Sequence, residues 1–260
     1  MGLRKLLGIG DGNGRDPRID TVLGTVLPQP GRRIDGEVLF RAGWLKLRIH
    51  DLNLDVVSKA RDWEGNTIDG QEVALRPEIT WFDVERNTEH RIGFHGRLRW
   101  DCPVTELGGR STGVDLSLVT TLGYDSDDVR DVDFLHVAAL PLHEAVMDAL
   151  LAEGYRFTGS ELLATQVEGI DHRSLRTQVF HLEDPAADPA GFPALEVVFV
   201  NNVVGATVFV RRAARQFFWW RDKPPAVSFP VAHHEAGTVD LGPRVRDALA
   251  SLAVKDRAPR

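Results

Sequence analysis

The chain is poor in thiols: its 260 residues include a single cysteine, Cys102. One cysteine excludes an intrachain disulfide and leaves no second thiol for a metal or redox pair, so a cytosolic compartment is expected. Long apolar runs are also missing. No stretch approaches the roughly 18 to 20 apolar residues a membrane helix needs. The opening Met1–Gly10 has two basic residues and only a short, interrupted apolar stretch, which fails as a secretory segment. An excess of positive charge is absent as well. Lys plus Arg number 31 against 38 Asp plus Glu, a net charge of −7, which disfavours a surface built to neutralise nucleic-acid phosphates. What is present is the composition of an ordinary globular protein, 43% apolar and 27% charged, long enough for one large domain or two small ones.

The glycine-rich, polar residues 8–17 read as a connector, so 1–16 is expected to be a flexible tail. Beyond it the pattern has period two. Ile92, Phe94, Leu98 and Trp100 alternate with polar residues, which places one face of a strand in a core and the other in water. Leu45, Leu47 and Ile49 alternate in one phase and Leu52, Leu54 and Val56 in the other, as a long strand bulged at His50-Asp51 would. Similar runs at 19–22, 38–40, 73–75, 79–84 and 114–122 suggest an antiparallel sandwich. The acidic stretch Asp125–Asp133 reads as a solvated interdomain linker. Pro141 then opens a helix with Leu142, Val146, Ala149 and Leu150 on one face and Gly154 just past its end. Two β-branched runs, Leu195–Val200 and Ala206–Val210, are apolar on both faces and read as neighbouring central strands. A short C-terminal helix is expected after Pro243. The division that follows is a tail at 1–16, a β-sandwich at 17–128, a second sandwich with helices at 129–255, and a tail at 256–260.

Catalytic and metal signatures fail one at a time. Gly109-Arg110-Ser111-Thr112-Gly113 spells G-x-S-x-G, but a nucleophile elbow needs a helix after it, and a strand-like run follows here. The segment reads as a hairpin connection, with a serine hydrolase using Ser111 as the enzyme alternative. His143-Glu144 begins like a zinc-protease helix, yet Met147 stands where the second histidine belongs, so both are read as solvent-facing helix residues. Five aspartates in Asp125–Asp133 lack the glycine and terminal glutamate of a calcium loop. His233-His234-Glu235 reads as a surface turn. No catalytic residue, metal or cofactor is expected.

One patch carries a binding expectation. Arg211, Arg212 and Arg215 precede Phe217, Phe218, Trp219, Trp220 and Arg221, and four consecutive aromatics on an extended chain cannot all face one core. Arginine and aromatics dominate interface hot spots, so these eight residues are the expected partner-binding tip. The alternative is that the rings fill the second core and the space beneath the C-terminal helix. Peripheral membrane contact through Phe217–Trp220 or the short basic segment Leu3–Ile9 is a further expectation, and exposed strand edges would permit a homodimer.

Taken in order, Leu3–Gly10, Arg18–Leu23, Pro30-Gly31, Asp35–Val38, Phe94, Pro103–Thr105, Val114–Leu116, the acidic stretch Asp127–Asp133, Val137, Pro141–Arg156, Leu195–Phe199 and Arg211-Arg212 resemble the bacterial sporulation-control protein family. The shared order, spanning roughly residues 3 to 215, is more specific than any one motif. The resemblance implies an arrestin-like fold of two antiparallel β-sandwiches. It also implies no catalysis, and a cytosolic regulatory or adaptor role in development, cell division or the envelope, exercised through protein partners. After Arg215 the family pattern no longer matches. A ligand- or glycan-binding sandwich whose aromatics stack on sugars or lipids is the alternative from another class.

Overall fold

In the computed structural model, residues 17–62, 64–75, 82–164, 176–184, 186, 192–213, 216–217, 220–221 and 224–257 are described, with side chains left aside at 71–74, 216–217, 220–221 and 256–257. In the first half, β1 (Arg18–Leu23), β2 (Arg33–Arg41), β3 (Leu47–Arg61), β4 (Thr67–Leu75), β5 (Phe82–Val84) and β6 (Glu89–Arg97) are followed by two short strands, β7 (Glu106–Leu107) and β8 (Arg110–Ser111), and by β9 (Leu116–Tyr124) and β10 (Asp127–Phe134). Helix α1 (Pro141–Ala152) leads into the second half: β11 (Arg156–Leu163), β12 (Thr177–Glu183), β13 (Ala194–Asn201), β14 (Gly205–Arg212), β15 (Gln216–Phe217), β16 (Trp220–Arg221), β17 (Ala226–Ala232) and α2 (Gly242–Arg257). No helix among the described residues is long and apolar enough to cross a membrane.

Strands β1-β2-β6 form one sheet. A ten-stranded sheet runs β10-β9-β3-β11-β12-β13-β14-β17, with β4 and β5 also paired to β3. Among the described residues its two halves join at a single parallel pair, Leu163 with Arg61, reinforced by the Ala164 amide donating to the Arg61 carbonyl at 2.7 Å. The sheet therefore crosses from one sandwich to the other almost without ladder bonds; the Ser160 amide adds a backbone bond to the Thr112 carbonyl at 2.6 Å, and side chains supply much of the rest. One continuous core does so in part: Val38, Phe40, Leu54 and Leu118 in the first half connect with Phe180, Leu182, Val197 and Val208 in the second. Val104, Leu135, Val137 and Leu140, which lie outside the strands, belong to the same core and are each at most 1% exposed. Burial of each such side chain contributes roughly 1.5 to 3 kcal/mol.

The long bent strand is confirmed, with its register shifting between Ile49 and Asp51. β13 and β14 are paired neighbours. Leu195 and Val197 enter the main core, while Val198 on the opposite face packs with Leu163 and Val179, which is why these runs are apolar on both faces. Gly108 and Gly109 both take positive φ between β7 and β8, as a tight hairpin turn requires. Ser111 thus lies exposed on a hairpin strand and not on an elbow.

Three expectations need correction. The acidic stretch is a strand and not a linker: β10 pairs along its full length with β9, closing on a turn in which Asp125 takes φ 47°. A division at 128/129 would cut this hairpin, whose register keeps Asp127–Phe134 with the first half's sheet. Composition misled here because the alternation is inverted. Val132 and Phe134 face water, while Asp131 turns toward β1 and accepts from the Thr21 amide at 3.1 Å. Beside it, burial and the neighbouring Asp131 raise the Asp133 carboxyl to about 6. The C-terminal helix is not short: it spans 16 residues and runs to Arg257. Arg211 is not part of an exposed tip. It faces Glu196 across the β13–β14 ladder, and the pair is buried, with the guanidinium Nε at 2.7 Å from the carboxylate. A cation at the end of an apolar strand is held inside because its partner stands at the matching register.

Removing one member leaves a bare buried charge. Arg211→Ala is expected to lower the unfolding free energy by about 3 to 5 kcal/mol in chemical denaturation, whereas replacing both, Glu196→Leu with Arg211→Met, costs much less.

Candidate functional site

The two halves meet along a seam organised by Asn201, the last residue of β13. Pro141 at the first turn of α1 leaves the Leu140 amide as the helix's outermost donor, and that amide points to His143 Nδ1 at 3.4 Å. An acceptor role fixes Nδ1 as unprotonated, so Nε2 carries the hydrogen and donates to Asn201 Oδ1 at 2.8 Å. The Asn201 amide nitrogen donates in turn to the Trp100 carbonyl at 3.1 Å. A single side-chain amide thereby connects α1, the central sheet of the second half and the segment leaving β6 in the first. His143 is the residue that sequence reasoning missed. Expected to face solvent, it is 2% exposed and lies 4.3 Å, ring to ring, from Phe199. Its burial pushes the imidazole down to about 4.

Trp100 closes the seam from the other side. Its indole stacks on His233 at 5.1 Å, and it lies so close over Gly31 that a Cβ there would stand 2.3 Å from the ring. His233 Nε2 contacts the Asn202 carbonyl at 2.9 Å. The 3₁₀ turn His233–Glu235 is held by Glu235, which the Arg244 guanidinium and the Ala232 amide bring down to about 2. Deeper in the seam, Gln178 of β12 pairs with the backbone of Val104 in both directions, accepting from its amide and donating to its carbonyl, each at 2.8 Å. The Gln178 amide also donates to the Ser160 hydroxyl at 2.9 Å. The side chain does the work of a strand partner for a segment that lies outside any strand.

Between these two clamps lies a cavity of about 570 Å³. Leu98, Val104, Phe180 and Phe199 contribute apolar wall. Arg97, Arg99 and Arg176 contribute cations, against one carboxylate, Asp101. His143, depressed to about 4, adds no charge at neutral pH. No group of three or more possible metal ligands occurs among the described residues.

The SpoOM protein family model matches residues 3–215. The chain belongs to this family. Crystalline Spo0M, the sporulation control protein of Bacillus subtilis, superposes with a TM-score of 0.76 at 20% identity, covering 91% of this chain and 99% of that one. The shared fold is arrestin-like. A Pseudomonas fluorescens alkylpurine DNA glycosylase and a DUF4466 family protein from Parabacteroides merdae reach TM-scores of only 0.27, at 11% and 9% identity. The first covers 48% of this chain and 31% of its own, the second 75% and 65%. Neither shares the fold to a useful extent. No curated protein matches.

Within this SpoOM family member, five of the eight residues expected at the tip fall within the described residues. Arg211 is buried in the β13–β14 ladder and Arg212 follows it, half-buried, at the end of β14. Phe217 and Trp220 are backbone partners in the β15–β16 hairpin, as are Gln216 and Arg221. Arg215, Phe218, Trp219 and the N-terminal segment Leu3–Ile9 lie outside the described residues. The signal for the seam was local but easily dismissed: a histidine at the third position of a helix begun by proline, and two asparagines after an apolar strand.

His143 is neutral in the fold and ordinary, near 6.5, when unfolded. Its contribution is therefore complete above 6.5 and is lost as the pH falls toward about 4. The full difference is worth on the order of 3 kcal/mol. His143→Gln is expected to remove this acid-side loss, read as a flatter dependence of unfolding free energy on pH than that of the wild type.

Proposed function

We propose that the protein is a non-enzymatic regulatory adaptor of the cytoplasm, holding protein partners in development, cell division or envelope processes. The observation that carries the reading is the separateness of the β15–β16 hairpin. Phe217 pairs with Trp220 in a two-stranded sheet that belongs to neither main sheet, and Phe218-Trp219 stand between the pair in sequence. A short hairpin carrying four aromatics costs little to order and offers the residue types that anchor interfaces. Arg212, Arg215 and Arg221 flank it with positive charge, which also suits peripheral contact with an anionic membrane. β10 supports the same reading. It is the terminal strand of the ten-stranded sheet and presents Val132 and Phe134 to solvent, a geometry suited to strand addition or to a homodimer. Membership in a family with a sporulation control protein favours regulation over catalysis. It does not require that this organism sporulate.

A pull-down from native cytosol with the wild type and the Trp219→Ser, Trp220→Ser double variant tests the tip. With equal melting temperatures for the two, specific proteins are expected on the wild type and a loss of at least tenfold on the variant. Identical recoveries would reject the tip as the contact.

A further inference from the structure

We propose that Asp131 is a lock on the open side of the first sandwich: its carboxylate ties the free edges of β1 and β10 to each other and keeps a further strand off β10. The direction of the backbone amides carries the inference. Among the described residues β1 ends one sheet and β10 the other. On β10 the ladder to β9 uses odd-numbered residues, since Leu135, in the same register, donates its amide to the Leu116 carbonyl at 2.9 Å. Successive residues of an antiparallel strand turn their amides to opposite sides, so those of Asp128, Arg130, Val132 and Phe134 point away from β9. On β1 the Gly24 amide continues the register with β2 and donates to the Asp35 carbonyl at 2.9 Å. That ladder therefore falls on even-numbered residues of β1, and Thr21 turns its amide outward.

Asp131 meets an outward amide of each strand. Its Oδ2 accepts from Thr21 at 3.1 Å, and its Oδ1 accepts from Val132 at 3.0 Å. A carboxylate has two accepting oxygens and forms charge-assisted bonds with N–H donors, so one side chain satisfies both edges. The Thr21 side chain tightens the contact: its hydroxyl lies 2.6 Å from that of Thr120, the β9 residue that pairs with Asp131. Earlier on β10, Asp127 Oδ1 accepts from the Asp128 amide at 2.9 Å, so a second outward donor is occupied by a side chain of the same strand. A strand added to β10 needs these donors and must first displace the carboxylates.

Charge acts against the strand most abundant in a solution of the pure protein, the β10 of a second copy. Two copies meeting antiparallel through their outward residues have two registers of near-full overlap, centred on Arg130 or on Asp131. The first sets Asp127 opposite Asp133, and the second sets Asp131 opposite itself. Like charges directly opposed are destabilising, and inward-pointing charges guard sheet edges against association. This control rests on β10 being an accepting edge, as proposed above; the bonds of the lock do not.

The test is native-state hydrogen exchange at the Thr21 and Val132 amides, with sedimentation equilibrium, on the full-length wild type, Asp131→Ala and Asp131→Asn. In Asp131→Ala, exchange at both amides is expected to accelerate at least tenfold while the β9–β10 ladder keeps its protection. This variant is also expected to gain a concentration-dependent association that the wild type lacks. Adding Val132→Pro is expected to abolish that association, because proline removes the outward donor and spares the ladder to β9. Asparagine keeps one acceptor, so in Asp131→Asn one of the two amides keeps its protection. Unchanged exchange at both amides in Asp131→Ala overturns the lock. If Asp131→Ala loses the ladder as well, Asp131→Asn decides, and unchanged exchange at both of its amides overturns the lock in the same way. Accelerated exchange without association upholds the lock and overturns β10 as an accepting edge.

Discussion

The bond between His143 and Asn201 is the constraint on which the junction of the two sandwiches depends. Neither residue reaches the other without Pro141, which starts α1 at the right place, and the β13 ladder, which delivers Asn201 at its end. From Asn201 the connection passes to the Trp100 carbonyl and so into the first half. Among the described residues the two halves of the ten-stranded sheet pair only at Leu163 with Arg61. Side-chain amides supply what the ladder lacks: Asn201 at one point, Gln178 against Val104 at another. Each is a polar group partly or wholly removed from water whose partners are all in place, which makes the arrangement specific and costly to disturb.

This division of labour explains the site. Where two sandwiches abut through side chains and not through a continuous backbone ladder, their inner surfaces do not close completely, and the gap becomes a cavity lined from both sides. Leu98, Trp100 and Val104 come from the first half and its exit segment, Phe180, Phe199 and Asn201 from the second. Anything bound there touches both halves at once. Partner contacts in the proposed adaptor lie elsewhere, on the β15–β16 hairpin and the β10 edge, and the seam sets how the bodies carrying those surfaces are held.

Much of the fold was legible because alternation survives in the strands that matter. The phase switch at His50-Asp51 marked a real register shift, and the doubly apolar runs at 195–200 and 206–210 marked adjacent central strands. The acidic β10 was hidden because its identity is tertiary. Asp131 serves the Thr21 amide and the apolar residues face out, so composition pointed to a linker. His143 was hidden for a similar reason, since i+4 spacing tests for a metal and not for an amide donated by the residue before the helix. Arg211 appeared to belong to the basic run beside it, and only the register with Glu196 takes it inside. Asn201, the partner that hides the role of His143 from sequence, lies 58 residues away, and the carboxylate that takes Arg211 inside lies 15 residues away across a ladder whose register composition does not reveal.

Native-state hydrogen exchange on Asn201→Leu tests the central claim most directly, since leucine keeps the size of the side chain and removes both of its hydrogen bonds. If Asn201 joins the halves, protection falls on both sides of the seam, at the Leu140 and His143 amides that begin α1 and at the Gly31 and Cys102 amides bonded to Arg99, while the β1–β2 pairing keeps its protection. Loss confined to the α1 side, or protection unchanged on both sides, would contradict the account.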